Sequence, residues 1–406
     1  MPQRRMPPTD PVWIEHDGDR IPAARGESVA AALLAADRVL LSRSPKLHRP
    51  RGPSCLRGGC DGCLARVDGE PNVMTCLRRV EGGERIETQN VLGTRGMDLM
   101  EAADFLFPRG IDHHKLFAGI RGVSSLVQSF ARRVAGLGTL PDEAKDVMPA
   151  RRREVDVLIV GSGRAGQAVA TRLREFDVCM IDDALRTGAT YALQDPVAAA
   201  QSLAQLEKVD CHPATTAIAL SREPGPGLSA VLGDARGAWL CQPRAVVLAT
   251  GCHDYAPAFG ENDLPGIFSA RAALSLLHGD ITVGQRVALI GRGHYLDVLR
   301  KVWGGELTLL EEAEVRRCAG RGRVRAVVMR DGNRRITVDA VVTDGPGAPA
   351  FELAVQSGAD VQFDGSGFAP RTDATGSVSA GVWAVGSVVA NRVTPDDVAE
   401  AVRRWL

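Results

Sequence analysis

The chain has 406 residues, 45% of them hydrophobic and 24% charged, the profile of an ordinary globular protein with room for two or three cores. Lys+Arg and Asp+Glu both total 49, so no field of either sign exists to draw in nucleic acid or an anionic membrane, and partners of those kinds are not expected. No run of eighteen apolar residues occurs, and none follows the basic start MPQRRM, so the sequence shows neither a membrane span nor a secretory leader; the expected location is cytoplasmic.

In chain order, VWIEHDGDRIPAA (12–24) alternates around an Asp-Gly turn and predicts a hairpin, and ESVAAALLAA after it predicts a helix. Next comes CLRGGCDGC (55–63), flanked by LARVDGEPN and GERIETQ, which read as short strands joined by glycine-containing turns. Residues 10–95 are therefore expected to form a small β-rich domain with one helix. From 96 to 153 the pattern is helical and interrupted, closing on the polar, Pro-bearing PDEAKDVMPARRRE, a linker with a domain boundary near 150.

VDVLIV, GSGRAG, QAVATRLREF and VCMIDD follow, a strand, glycine turn, helix and strand that open a Rossmann-type α/β unit. AVVLATG and RVALIGRG are two further apolar strands ending in glycine. The expected fold is α/β throughout this part, with a first nucleotide domain from 154–275 and 346–406 and a shortened second one from 276–345.

Cys55, Cys60, Cys63 and Cys76 have the spacing C-x4-C-x2-C-x12-C. The first three match the plant-type loop that wraps a [2Fe-2S] cluster, and such a loop needs backbone freedom, which Gly58, Gly59 and Gly62 provide. A four-cysteine zinc site and unliganded thiols are the alternatives; structural zinc more often pairs its ligands as two C-x2-C knuckles. Cys179, Cys211, Cys241, Cys252 and Cys318 are scattered as buried reduced thiols are, so no disulfide framework is expected.

The short spacing to the last cysteine, on a β-grasp-like pattern, resembles the small [2Fe-2S] domains of hydrogen cyanide synthase and of dye-linked proline dehydrogenases. RSPKLHRPRG (43–52) resembles the segment that sarcosine oxidase alpha subunits carry at this point. In those alpha subunits the domain often lacks the cysteines, so this chain is more similar to the cluster-bearing branch.

Gly161, Gly163 and Gly166 form G-x-G-x-x-G between strand and helix, and Asp182 ends the next strand 21 residues past the first glycine. The glycines allow a tight turn, close approach of a pyrophosphate and close helix–strand packing, and the acidic residue accepts from ribose hydroxyls, with Asp183 as the adjacent alternative. Ser162 lies inside this cradle. FAD and NAD share the fingerprint. AVVLATG, with Thr250 and Gly251, resembles the ATG segment of two-dinucleotide flavoproteins, and TGSVSAGVWAVGSV resembles their late motif. Together these imply FAD at the first site, contacted by Gly386 and by Ser387, which stands where the late motif usually has Asp.

In the second motif, Gly291 and Gly293 are followed by Leu296 at the third glycine position, and the acidic pair Glu311 and Glu312 ends the next strand. The unit lacks the second helix and third strand of a full nucleotide domain, so bound NAD is doubtful there. GCHDYAPAFGENDLPGIFSARAAL resembles the linker that leads into the second unit of sarcosine oxidase alpha. The likeness runs from about residue 12 to 406 and does not include the aminomethyltransferase-like half of that subunit, so folate chemistry is not carried over.

The resemblance implies an iron-sulfur/flavin electron-transfer component of a heteromeric amine or amino-acid dehydrogenase or oxidase of the sarcosine, proline, hydroxyproline, glycine or opine class. A flavoprotein beta subunit of amine-oxidase type is the implied partner, with the electron acceptor unspecified. No substrate-binding His, Glu or Arg constellation stands out, and no catalytic residue is assigned. The alternatives are a stand-alone NAD(P)H-dependent flavin/iron-sulfur reductase and a non-catalytic nucleotide-binding scaffold. His113-His114 reads as a solvent-facing pair, and Cys252-His253 as neighbours on opposite faces rather than a nucleophile and its base. The basic run Lys46, His48, Arg49 and Arg51 either shields the cluster loop, docks a partner or is simply solvated.

Overall fold

A computed structural model describes residues 2–44, 48–91, 93–94, 97–98, 149–222, 227–332, 334–363, 365, 367–390 and 392–406. His113, His114, Lys46 and nearly all of the 96–153 segment lie outside them. At its edge, Met97–Asp98 pairs as a short strand with Gly93–Thr94, so the helical pattern read from 97 does not begin there.

The chain divides into two compact units, Met1–Ala144 with Ala256–Asp344 and Lys145–Tyr255 with Gly345–Leu406. In the first unit, the front of the chain is a five-stranded sheet in the order Asp19–Ala24, Pro11–His16, Arg85–Glu87, Leu64–Val67, Glu70–Met74. The first hairpin turns at Asp17-Gly18 and the last at Asp68-Gly69, all four at positive φ, the left-handed two-residue turn whose twist matches the strands. Helix Val29–Ala35 is capped by the Ser28 hydroxyl, which accepts from the Ala31 amide at 3.1 Å. It lays Val29, Ala30 and Leu33 on Ile14, Ile21, Val67 and Ile86. This is the β-grasp pattern of a sheet covered by one helix, and Cys63 and Cys76 are part of its core.

The part of that unit from 256 to 344 holds a parallel sheet in the order Ile267–Ser269, Ala340–Asp344, Arg286–Gly291, Glu306–Leu310, with helices Ala270–His278 and His294–Val302. After Glu306–Leu310 the chain makes one 3-10 turn and passes straight into three antiparallel strands, Val315–Ala319, Ala326–Met329 and Arg335–Thr337, before returning as Ala340–Asp344. The second nucleotide domain is shortened in this way. Ile267–Ser269 pairs with Ala340–Asp344, so the stretch from 256 to 275, which the sequence assigned to the first nucleotide domain, builds the second.

The second unit is an eight-stranded sheet. Its spine runs Asp210–His212, Val178–Ile181, Arg151–Val160, Gly237–Leu248, Leu228–Asp234, Thr216–Arg222, and Val382–Ala384 joins the far half of Gly237–Leu248 in parallel. Val157, Leu158, Ile159, Val246 and Val247 are at most 1% exposed, in one core with Val169 and Val398 of the helices and Leu220 and Leu232 of the antiparallel strands, and strands buried on both faces are apolar throughout rather than alternating. Truncating Leu158 or Ile159 to Ala would cost about 2–5 kcal/mol. Among the described residues no helix is long and apolar enough to cross a membrane.

Candidate functional site

Two sites follow from the predicted residues, one in each unit. In the first, the loop from Cys55 to Cys63 curls back on itself. Leu56 and Gly58 both adopt positive φ, and a Cβ at Gly62 would lie 2.2 Å from the Gly52 carbonyl oxygen. Gly62 must therefore be glycine for the loop to close against its own entry strand. The Ser54 carbonyl, one residue before the first cysteine, accepts from the Ser269 amide at 3.1 Å.

The four sulfurs gather as two pairs: Cys55 and Cys60 at 3.4 Å, Cys63 and Cys76 at 3.3 Å. Two thiolates on one tetrahedral metal with bonds of ~2.3 Å sit about 3.7 Å apart, so each pair is spaced to hold one iron of a two-iron cluster. Backbone donors face the sulfurs: the Gly58 amide reaches Cys76 Sγ at 3.3 Å, and the amides of Cys55 and Gly62 reach Cys60. The hydrogen bond from Cys55, aided by those amides, lowers the Cys60 thiol to about 6 against the cost of burial. Cys63 is the lowered member of the other pair through its bond with Cys76, and Cys76 is raised by the same bond and by burial. One sulfur of each pair is thus favoured as a thiolate, the form that binds metal.

Within the basic run before this loop, Arg49 and Arg51 are engaged by acidic side chains. Arg51 donates to Asp263 at 2.8 Å and Arg49 pairs with Glu261 at 2.8 Å, tying the loop's entry to the segment that leads into the second nucleotide fold. The sequence reading missed these acidic partners, which lie more than 200 residues away in GENDLPG.

The other site is the first glycine turn. At Gly161 a Cβ would fall 2.3 Å from the Ala249 carbonyl oxygen, and at Gly166 it would fall 2.0 Å from that of Gly161. Nothing lies within 4 Å of the Cβ position at Gly163, where helix Arg164–Arg172 begins. The first and third glycines are packed and the second opens onto free space, the arrangement a pyrophosphate needs at a helix N-terminus. Asp182 closes over the turn: Oδ2 accepts from the Ser162 amide and hydroxyl, and Oδ1 from the Ala184 amide at 2.8 Å. The late motifs arrive at the same place. The Thr250 hydroxyl donates to the Ala350 carbonyl at 2.7 Å, a Cβ at Gly251 would lie 3.5 Å from Ser387 Oγ, and one at Gly386 would lie 2.9 Å from Ala165 Cβ. All nine residues read as nucleotide contacts therefore gather around one turn, with the Ser387 side chain exposed.

Sequence reasoning missed Gln167, which is fully buried and donates to the Ser162 carbonyl at 2.8 Å. A buried amide one residue past the third glycine is its only sequence signal. Cys252 and His253 turn to different partners, the thiol to the Ser387 carbonyl at 3.2 Å and the imidazole to Glu352 at 2.7 Å, so they do not form a nucleophile–base pair. Burial pushes Cys179 and Cys318 up to about 12 and Cys241 up to about 11, as fits structural thiols.

Residues 9–91 match the model of the 2Fe-2S iron-sulfur cluster binding domain. The chain is 26% identical over 86% of its length to the sarcosine oxidase subunit alpha of Rhizobium meliloti, and 26% identical over 67% of its length to that of Corynebacterium sp. strain U-96. It spans 41% and 27% of those relatives. Among solved structures it resembles the L-proline dehydrogenase of P. horikoshii with a TM-score of 0.76 at 20% identity, over 99% of this chain and 78% of that one, a likeness of fold. The front of the chain thus carries a 2Fe-2S iron-sulfur cluster binding domain, and the rest has a Rossmann-type α/β fold with two glycine turns and a shortened second sheet unit.

Proposed function

We propose that this chain is the iron-sulfur/flavin electron-transfer component of a heteromeric dehydrogenase or oxidase acting on a secondary amine or small amino acid. The observation that carries the reading is the pairing of Cys55 with Cys60 and of Cys63 with Cys76 inside the 2Fe-2S domain. Cys55, Cys60, Cys63 and Cys76 hold the cluster, two sulfurs to each iron. The first glycine turn would hold FAD, with Gly161, Ser162, Gly163 and Gly166 for its pyrophosphate, Asp182 for its ribose, and Thr250, Gly251, Gly386 and Ser387 for the remaining contacts. When bound, a flavin takes up electrons in pairs and a [2Fe-2S] centre carries them singly, so a chain with both converts two-electron oxidation into one-electron traffic.

What the chain's own residues contribute is placement. The Gly58, Gly62 and Cys55 amides stabilise negative charge on the sulfurs, and the Gly163 opening admits the phosphates to the helix end. The likeness to proteins named sarcosine oxidase subunit alpha supports a multi-subunit assembly, in which a separate flavoprotein subunit of amine-oxidase type would oxidise the substrate.

The test is anaerobic purification of the chain, alone and co-expressed with a neighbouring amine-oxidase-like flavoprotein. Two irons and two acid-labile sulfides per chain, a reduced-state electron paramagnetic resonance signal lost in Cys60→Ser, and bound FAD are the expected results. Zinc in place of iron, or neither metal nor sulfide, would overturn the reading.

A further inference from the structure

We infer that the second nucleotide fold is closed from within, with the carboxylate of Asp344 occupying the anion position of its glycine cradle, so that this fold takes no dinucleotide. The two glycine turns of the chain make the comparison direct. At the second glycine of the first turn, Gly163, nothing lies within 4 Å of the Cβ position. At the matching Gly293, a Cβ would fall 2.2 Å from Asp344 Oδ2 and 2.7 Å from Oδ1. In the fingerprint this is the side on which a pyrophosphate approaches the backbone.

The position of Asp344 follows from the sheet. It is the last residue of strand Ala340–Asp344, which runs parallel to Arg286–Gly291 in a register that sets Asp344 beside Gly291. The strand therefore ends level with the glycine turn, and its last side chain crosses the mouth of helix His294–Val302. There Asp344 Oδ2 accepts from the Leu296 amide at 2.9 Å, one of the helix-end donors that a phosphate would use. A fixed carboxylate at a helix N-terminus is stabilised by the same dipole and donors, and it repels an incoming phosphate as a like charge at short range.

Leu296, at the third glycine position, is 3% exposed, so its side chain packs into the fold while its amide holds the carboxylate. The ribose end is engaged too: Glu311, at the end of the strand that follows the helix, accepts from Arg292 Nε at 3.1 Å and Nη2 at 2.7 Å. That pair is exposed and weak, so Asp344 is the main barrier. Nucleotide chemistry in this chain is confined to the Gly161 turn, and the shortened fold serves as a support, tied to the cluster loop through Arg51–Asp263 and Ser54–Ser269. This inference does not depend on which nucleotide the first turn holds.

Hydrogen–deuterium exchange on the full chain with and without millimolar NADH tests it, because peptides covering 291–297 and 161–167 report the two turns separately. In the wild type, NADH should leave exchange over 291–297 unchanged. In Asp344→Ala and in Asp344→Ala/Leu296→Gly, exchange of the residue-296 amide should rise, and NADH should then protect 291–297 at a concentration at least tenfold below the highest that leaves the wild type unprotected. Asp344→Ser, which can still accept from Leu296 without the charge, takes their place if they fail to fold. NADH protection of 291–297 in the wild type overturns the inference, as does a folded variant that gains none.

Discussion

The Oδ2 atom of Asp182 accepts both hydrogen bonds that Ser162 donates, from its amide at 2.6 Å and from its hydroxyl at 2.7 Å. The same hydroxyl accepts from the Gly188 amide at 2.9 Å, so one buried serine joins the glycine turn, the acidic strand end and the loop before helix Ala189–Gln194. Ser162→Ala leaves the Gly188 amide without this acceptor and should cost about 1–3 kcal/mol. The expected result is a lower urea midpoint and reduced FAD retention on gel filtration. Ser387→Ala, at an exposed position, should stay within about 0.5 kcal/mol of the wild type in stability and separate a ligand contact from a structural one.

Gly62→Ala should abolish cluster assembly. Its Cβ would be driven to 2.2 Å from the Gly52 carbonyl oxygen, and neither backbone can yield without opening the loop that positions Cys60 and Cys63. Gly69→Ala, in the adjacent hairpin, meets nothing within 4 Å and carries only the cost of φ +78°, on the order of 1 kcal/mol. Iron and sulfide per chain should fall to near zero in the first variant and stay at wild-type level in the second.

The pair of Arg51 and Asp263 is half-buried and joins segments far apart in sequence, so it should act on the cluster loop more than on global stability. A double-mutant cycle with Arg51→Met and Asp263→Asn should give a coupling of about 0.5–1 kcal/mol. Each single variant should lose its cluster to a chelator several-fold faster than the wild type. Unchanged release rates would show that the pair does not brace the loop.

Local pattern was readable where one segment does one job. The Asp17-Gly18 hairpin, the apolar strand before Gly161 and the glycines of the cluster loop all carry their reason within a dozen residues, and the structure has them where the sequence put them. The domain of 256–275 was misread because strand Ile267–Ser269 is defined by its pairing with Ala340–Asp344, a relation no local pattern encodes. The partners of Arg49 and Arg51 escaped for the same reason, since Glu261 and Asp263 look like ordinary loop acids until the fold closes. Leu296 signalled a damaged nucleotide motif on its own, but what closes the cradle is Asp344, forty-eight residues later and visible only through strand register.

Asp339 gives a pH test of the shortened fold. Burial pushes its carboxyl up, but the Arg286 amide and guanidinium and the Gln285 amide outweigh it and hold the group down at about 2. A depressed carboxyl stabilises the fold above its unfolded value near 3.9, and that contribution fades as the pH falls through about 2. Asp339→Asn should therefore be less stable than the wild type at pH 7, by a loss on the order of 1 kcal/mol after allowance for solvent screening. Between pH 4 and 2 the wild type should lose stability faster than the variant, and the two urea midpoints should converge. A gap that stays constant down to pH 2 would mean that Asp339 ties the starts of strands Arg286–Gly291 and Ala340–Asp344 through shape rather than charge.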